Sequence, residues 1–242
     1  MTVVLTGANR GLGHAILLGL AKNGYDVVAC VRKKEQYVTD FDAIANEYGV
    51  HIYPVECHLD DEASIDACWE EINQLDIDLY GIVNCAGIME LKPVLFTSYE
   101  EVEQMFRVNY FAPFLMCKHA AELLVRQGSG AIVNISSMAS LGSQPGGAAY
   151  DASKAALNQL TKTLGQELAP FSIRANAIAC GPINTEMFAN MGDKERNKLI
   201  KSVALKRAAE PEEIVKSVLF LLSGDSSFIT GQIIRVDGGA II

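Results

Sequence analysis

Apolar positions along this chain recur with two spacings that alternate from one end to the other. Short runs rich in Val, Ile and Ala predict buried β-strands, whereas longer segments with an apolar residue at every third or fourth position predict amphipathic helices. The strand pattern occurs at residues 2–6, 26–31, 51–57, 79–84, 131–136, 173–179 and 232–236. The helical pattern occurs between them, at residues 11–23, 35–48, 62–75, 99–126, 150–169 and 211–222, and more weakly at 186–206.

Strands that alternate with helices predict a parallel sheet, because each parallel neighbour requires a crossover connection. We expect an α/β fold with a Rossmann-like, doubly wound sheet of seven parallel strands and helices on both faces. Such sheets bind ligands outside the carboxyl ends of their strands. No repeat, linker or shift in composition divides the 242 residues, so we expect a single domain over residues 1–242.

Composition and charge exclude several kinds of partner. The chain has 20 basic and 29 acidic residues, a net charge of −9 that repels both phosphate backbones and anionic lipid. We therefore expect neither nucleic acid nor a membrane as a partner. Dispersed cysteines, histidines without metal-ligand spacing and the lack of a secretory leader are typical of a metal-free protein with reduced thiols. The expected location is the cytoplasm.

A glycine-rich turn follows the first predicted strand and leads directly into a helix. Its sequence is Thr6-Gly7-Ala8-Asn9-Arg10-Gly11-Leu12-Gly13. Glycines in this context allow a tight turn and the close approach of a pyrophosphate to the helix N-terminus. The spacing differs from G-x-G-x-x-G, and an ordinary loop is the alternative; the position after the first strand favours a phosphate-binding turn.

The turn resembles the Thr-Gly-x3-Gly-x-Gly of the short-chain dehydrogenases/reductases, and further motifs extend that resemblance over nearly the whole chain. They are Asn84-Cys85-Ala86-Gly87, Asn109, Ser137, Tyr150-x3-Lys154 and the ending Val236-Asp237-Gly238-Gly239. The resemblance implies an NAD(P)(H)-dependent oxidoreductase that moves a hydride between nicotinamide and a carbonyl or alcohol carbon. Two departures concern how the cofactor is held: Cys180 stands where the family has proline, and His58-Leu59 where it has Asp-Val.

The resemblance also implies the catalytic residues and their roles. Tyr150 would be the general acid or base, and Lys154, one helical turn later, should lower its pKa together with the positive nicotinamide. Ser137 would donate to the substrate oxygen, and Lys154 would also hold the nicotinamide ribose. Asn109 would position a water that relays protons to Lys154.

NADP(H) is the expected cofactor because the second strand ends in Val31-Arg32-Lys33, without the carboxylate that binds the ribose of NAD. Arg10 should lie nearby, so two guanidiniums can hold a 2′-phosphate; a solvated helix start is the alternative. The cofactor contacts implied by the family are Gly7, Asn9, Arg10, Gly11, Leu12, Gly13, Arg32, Lys33, His58, Leu59, Asn84, Ala86, Gly87, Tyr150, Lys154, Gly181, Pro182, Ile183 and Thr185. Residues 186–206 are interpreted as a lid over the substrate, or as an irregular surface loop.

Two substrate classes remain open. The nearest resemblance is to 3-oxoacyl-(acyl-carrier-protein) reductases, whose acidic carrier is generally met by basic residues before strands five and six. Here those places are Gly128-Ser129-Gly130 and Pro170-Phe171-Ser172. A reductase of small or ring ketones, including sugar or sterol-like alcohols, therefore ranks equally. A non-catalytic NADPH-binding regulatory or scaffold module is the alternative from another class, although Tyr150 and Lys154 are both present.

The two long helices 99–126 and 150–169 carry more apolar positions than one face of a sheet can cover. By resemblance to the family, we expect them to pair with their copies. A second contact should form through residues 232–236 and 240–242. The expected assembly is a homotetramer of D₂ symmetry.

Overall fold

The computed structural model describes residues 1–241, so only Ile242 of the predicted C-terminal contact lies outside it. Seven parallel strands form one sheet in the order β3-β2-β1-β4-β5-β6-β7. The strands are β1 (Thr2–Thr6), β2 (Asp26–Val31), β3 (Ile52–Glu56), β4 (Leu79–Asn84), β5 (Gly130–Ser137), β6 (Ile173–Cys180) and β7 (Ile233–Val236). The predicted doubly wound sheet is confirmed, and each strand begins and ends within about one residue of its predicted boundary.

Helices cover both faces of the sheet. They are α1 (Gly11–Lys22), α2 (Val38–Tyr48), α3 (Glu62–Gln74), α4 (Tyr99–Phe106), α5 (Ala112–Gln127), α6 (Ala148–Glu167), α7 (Glu186–Ala189), α8 (Asp193–Ser202) and α9 (Pro211–Leu222). None of those within residues 1–241 is both long and apolar enough to cross a bilayer.

The predicted helix over 99–126 is confirmed, since the chain is helical from Tyr99 to Gln127, but it is not α-helical throughout. A π-helical turn, Arg107–Phe111, separates α4 from α5. Pro113 has no N–H to donate to the Asn109 carbonyl. The side chain of Asn109 accepts from the Ile88 amide through Oδ1 and donates to the Ile88 carbonyl through Nδ2. The π-turn therefore coincides with a predicted site residue, as π-turns often do.

The sheet has a separate apolar core on each face. Val3 and Leu5 of β1 pack with α1, α2 and α9, whereas Val4 between them packs with α3 and α5. Successive side chains of a strand point to opposite faces, so burial on both sides requires a continuous apolar run. The six cysteines are divided between the cores: Cys30, Cys57, Cys68 and Cys117 on the α3/α5 face, and Cys85 and Cys180 on the α1/α9 face.

The strand order reverses between β1 and β4, which lie side by side in the sheet. The chain leaves β1 toward the α1 face and leaves β4 toward the α4/α5 face. A crevice therefore opens at the carboxyl ends of these two strands, where the predicted glycine turn and the Asn84–Gly87 motif meet.

Candidate active site

The glycine turn is fixed by close approaches that exclude side chains. Gly7 has φ +73°, and a Cβ on Gly13 would lie 1.9 Å from the Gly7 carbonyl oxygen. The turn ends at the N-terminus of α1, where the side chain of Arg10 makes no capping hydrogen bond. The first amides of α1 are therefore available to an anion. Leu12 turns the other way and packs on the α1/α9 core.

Hydrogen bonds connect the glycine turn to the segment after β4. The Thr6 hydroxyl accepts hydrogen bonds from the amides of Cys85, at 3.0 Å, and Ala86, at 3.1 Å. Asn84 differs from its neighbours, because its side chain is buried and donates to Asn134 Oδ1 at 2.8 Å. Of the predicted contacts in this motif, Ala86 and Gly87 border the crevice, whereas Asn84 has only its main chain to offer.

The predicted phosphate end of the site carries exposed positive charge. Arg32 and Lys33 follow the buried end of β2 and are exposed. Asn9 donates to the hydroxyl of Tyr37 at 2.9 Å, which joins the glycine turn to the segment after β2. The Arg10 guanidinium lies 3.5 Å from the carboxylate of Glu186, the first residue of α7. Both side chains are largely exposed, so this ion pair is weak.

His58 and Leu59 follow β3, on the adenine side of the predicted site. The His58 amide donates to the Ser64 hydroxyl at 2.9 Å, and its ring lies 3.4 Å from Glu56. Leu59 packs partly against the α3/α5 core. These contacts fix the main chain here without an aspartate at position 58.

Two of the predicted catalytic residues, Asn109 and Lys154, meet beside Gly87, and the other two, Ser137 and Tyr150, lie near each other. Lys154 is buried on α6, and its Nζ donates to the Ile135 carbonyl at 2.9 Å. A Cβ added to Gly87 would lie 3.3 Å from Lys154 Nζ and 3.2 Å from Asn109 Oδ1. Ser137 ends β5, and Tyr150 lies one helical turn before Lys154.

Burial controls the protonation of this group. It raises the pKa of Tyr150 to about 12, although the nearby Ser137 hydroxyl lowers that pKa in part. It also lowers the pKa of Lys154 to about 8. For the protein side chains alone, desolvation dominates and holds the Tyr150 pKa up. The expected lowering of this pKa by Lys154 together with the positive nicotinamide concerns the site with its cofactor bound and stays a prediction.

The segment after β6 meets the glycine turn. A Cβ added to Gly181 would lie 2.7 Å from Asp237 Cα, so only glycine fits there. The Pro182 carbonyl accepts from the Ala209 amide at 2.9 Å, and Ile183 forms a parallel bridge with Ala209. A Cβ on Gly11 would touch Thr185, which brings Thr185 to the predicted diphosphate position.

The weak helical pattern over residues 186–206 corresponds to two shorter helices and not to one. The short helix α7 ends at Ala189, and α8 begins only at Asp193. Residues 190–192, which include Gly192, lie between them. Neither helix has a buried residue.

Comparisons with known proteins agree with this geometry. A family model described as enoyl-(acyl carrier protein) reductase matches residues 7–240. A 3-oxoacyl-[acyl-carrier-protein] reductase of Aquifex aeolicus is 37% identical over 236 residues, 98% of this chain and 95% of the relative. The chain belongs to the short-chain dehydrogenase/reductase family.

Other members of the short-chain dehydrogenase/reductase family are almost as similar. A 3alpha-hydroxysteroid dehydrogenase of Mediterraneibacter gnavus is 35% identical, covering 98% of this chain and 95% of its own. A solved structure assigned as an NAD(P)-dependent gluconate 5-dehydrogenase of Beutenbergia cavernae superposes with a TM-score of 0.92. It is 33% identical, covers 98% of this chain and 95% of its own, and holds NADP at low occupancy.

Several residues of the candidate active site were not predicted from the sequence. Ser153 accepts from Asn109 Nδ2 at 3.1 Å and donates to the Tyr150 carbonyl at 2.8 Å. Tyr37 and Glu186 contact the glycine turn. Each acts through a partner distant in sequence, and no local pattern signals such a contact. The position of Ser153 directly before Lys154 was the one available hint.

Proposed function

We propose that this short-chain dehydrogenase/reductase uses NADP(H) to interconvert a carbonyl and a secondary alcohol, with Tyr150 as the proton donor or acceptor. The observation that carries the proposal is the convergence of Asn109, Ser137, Tyr150 and Lys154 at the edge of the glycine-turn crevice. Each residue alone has a structural explanation, but their convergence beside a phosphate-binding turn fits hydride transfer.

When bound, NADPH supplies the hydride. In reduction, the Ser137 hydroxyl donates a hydrogen bond to the substrate oxygen and Tyr150 gives it a proton as the carbon accepts the hydride. A phenol with a pKa of about 12 keeps its proton at neutral pH, which suits it as the acid of this step. In oxidation, the same phenol must first lose its proton, and the positive charge of bound NADP⁺ favours that loss.

Lys154 is the proposed link from Tyr150 to water. Its pKa of about 8 allows Nζ to release and regain a proton near neutral pH. The side chain of Asn109 is engaged by Ile88 and Ser153. A relaying water would therefore use the Asn109 carbonyl, to which Pro113 cannot donate.

The basic residues around the turn support NADP(H) over NAD(H). Arg32 and Lys33 are exposed beside the turn, and Val31 supplies no carboxylate. Arg10 becomes a third partner for a 2′-phosphate if it leaves Glu186. The related gluconate 5-dehydrogenase structure with NADP is consistent with this choice.

Ring ketones and carrier-bound 3-oxoacyl thioesters remain the two proposed substrate classes. The relatives include both a steroid dehydrogenase and a carrier-protein reductase. With a net charge of −9, the protein attracts an acidic carrier poorly. The kcat/KM values for a ring ketone and for a 3-oxoacyl carrier protein, compared at low and high salt, would decide between them.

The finer features of the proposal are a single NADP-binding domain over residues 1–242, a homotetramer and a cytoplasmic location. The continuous seven-stranded sheet supports the single domain. Exposed aromatic side chains on the π-turn, on α5, on α9 and in the segment before β7 support the homotetramer; they are Phe111, Phe114, Phe220 and Phe228. Six free thiols are consistent with a reducing compartment.

The decisive experiment follows nicotinamide absorbance with the purified protein, both cofactors and a panel of ketones and alcohols. We expect turnover with NADPH and at least one ketone, and its loss in Tyr150→Phe. Tight NADPH binding without turnover of any carbonyl or alcohol would instead favour the non-catalytic NADPH-binding module.

A further inference from the structure

A chain of hydrogen bonds joins α6 to the end of β5 next to Ser137. Asn158 lies on α6, one helical turn after Lys154, and is 5% exposed. Its Nδ2 donates to the Ser140 hydroxyl at 2.7 Å, and that hydroxyl donates to the main-chain carbonyl of Ser137 at 2.5 Å. The proposed mechanism uses neither Ser140 nor Asn158.

The direction of each bond follows from what the groups can do. A serine hydroxyl has one proton and two lone pairs. The amide of Asn158 can only donate through Nδ2, and the Ser136 hydroxyl, 3.3 Å away, supplies a second donor to Ser140. The single proton of Ser140 therefore goes to the Ser137 carbonyl. A hydroxyl with all three positions engaged cannot rotate, so Ser140 holds the Ser137 main chain in one orientation.

The same turn orients the Ser137 side chain. Its hydroxyl oxygen accepts from the Ala139 amide at 3.2 Å, which leaves its proton available to the neighbouring Tyr150 oxygen or to a substrate. The carbonyl and the hydroxyl of Ser137 are thus both held by the turn that contains Ser140. If Ser140 moves, the Ser137 hydroxyl changes direction.

Stability alone does not account for the Asn158 amide. Its Oδ1 is buried and has no hydrogen-bond partner within residues 1–241. An unpaired buried acceptor destabilises a folded protein, and an apolar side chain of similar size would remove that penalty. The part of Asn158 that has a clear role is its Nδ2 group, which donates to Ser140.

We infer that Ser140 and Asn158 are positioning residues, which hold Ser137 in register with Tyr150 for proton and hydride transfer. The inference rests on the proposed function of Ser137. Lys154 makes a second tie from α6 to β5, through the Ile135 carbonyl. These two hydrogen-bonded connections reach the carbonyls on either side of Ser136 and fix α6 to β5, the strand that carries Ser137.

The test compares Asn158→Leu, Ser140→Ala and Ser140→Thr with the wild type, each also in a Ser137→Ala background. Single-turnover reduction, steady-state kcat, NADPH Kd and the urea midpoint are measured. We expect Asn158→Leu and Ser140→Ala to lower kcat about tenfold, because small misplacements of catalytic groups are costly. NADPH Kd should stay unchanged, and the urea midpoint of Asn158→Leu should equal or exceed that of the wild type.

Three further results are expected if the two residues act through Ser137. Ser140→Thr keeps the hydroxyl and should retain most of kcat. The double variant Ser140→Ala/Asn158→Leu should be no slower than the slower single variant. In the Ser137→Ala background, Asn158→Leu should have no further effect on the single-turnover rate.

The inference is overturned if Asn158→Leu and Ser140→Ala each keep more than half of kcat, or if their effects persist undiminished in the Ser137→Ala background. If Asn158→Leu does not fold, the comparison of Ser140→Ala with Ser140→Thr decides. Normal kcat in Ser137→Ala alone would refute the proposed role of Ser137 as well. An impaired Ser137→Ala with fully active Asn158→Leu would refute only the positioning role.

Discussion

At the scale of single residues, the site combines a phenol that keeps its proton with an amine that is ready to release one. Burial shifts the two pKa values apart, that of Tyr150 up to about 12 and that of Lys154 down to about 8. The sequence identified both side chains through their spacing on one helix. It could not indicate the pKa shifts, because those depend on how deeply other parts of the chain enclose the pair.

Tyr150→Phe removes the transferable proton and keeps the ring. We expect kcat to fall by about 100-fold or more, with NADPH Kd unchanged within about twofold. Tyr99→Phe is the matched control, because Tyr99 is 76% exposed at the start of α4. Retention of more than a tenth of wild-type kcat would contradict the role given to Tyr150.

Lys154→Met should stabilise the fold while it abolishes turnover. Burial lowers the Lys154 pKa from 10.5 to about 8, so below pH 8 the native state must hold a charge that it disfavours. We expect the free energy of unfolding to rise by about 2 kcal/mol at pH 7, after the lost bond to Ile135 is subtracted. The gain should shrink as the pH rises from 8 toward 10.5, where the unfolded chain also loses the proton.

Urea unfolding at pH 7 and pH 10 measures this difference. Lys162→Met on the same helix is the control, since Lys162 is exposed and should give no comparable gain. A Lys154→Met protein less stable than the wild type at pH 7 would contradict the prediction.

At the scale of elements, the strands were predictable and the irregular helices were not. Burial on both faces forces continuous apolar runs, which is why β1 and β2 match their predicted bounds. The π-turn between α4 and α5 contains Asn109, which bonds to Ile88, 21 residues away, and no periodicity records that contact. The predicted lid likewise divides into two helices around residues 190–192, which a weak helical pattern did not resolve.

The end of β2 should set the choice of cofactor. In Val31→Asp/Arg32→Ala, a carboxylate replaces the positive charge next to the glycine turn, so the ratio of kcat/KM for NADPH to that for NADH should fall at least about tenfold. Lys34→Ala is the control, because Lys34 is engaged by Glu71 at 2.8 Å. An unchanged ratio in the double variant would mean that the 2′-phosphate binds elsewhere.

Arg174 of β6 closes the C-terminal end of α9. Its guanidinium donates to the carbonyls of Leu221, Leu222 and Ser223 at 2.7 to 3.1 Å. We expect Arg174→Met to lower the free energy of unfolding by about 2–4 kcal/mol, because three carbonyls at a helix end each lose a charged donor and keep only a neutral one, from Tyr80 or Ser226. Exposed Arg126→Met, near the end of α5, should change it by less than about 0.5 kcal/mol in the same urea titration.

At the scale of the whole molecule, the exposed apolar surface predicts assembly. Phe114 on α5 is 45% exposed, so a lysine there leaves the protomer core intact but charges the proposed helix interface. Light scattering should give four times the protomer mass for the wild type and a smaller assembly for Phe114→Lys. Phe171→Lys, at 44% exposure outside that interface, should keep the wild-type mass. A monomeric wild type would refute the tetramer.

Because both cores contain cysteines, thiol labelling can follow the transient opening of each face of the sheet separately. Burial raises the pKa of Cys117 on one face and of Cys180 on the other to about 12, so neither thiol reacts until its layer opens. The labelling rate of each thiol under native conditions therefore measures the opening of one layer. Equal rates would mean that both layers open together as one cooperative unit, and unequal rates would identify the face that opens first.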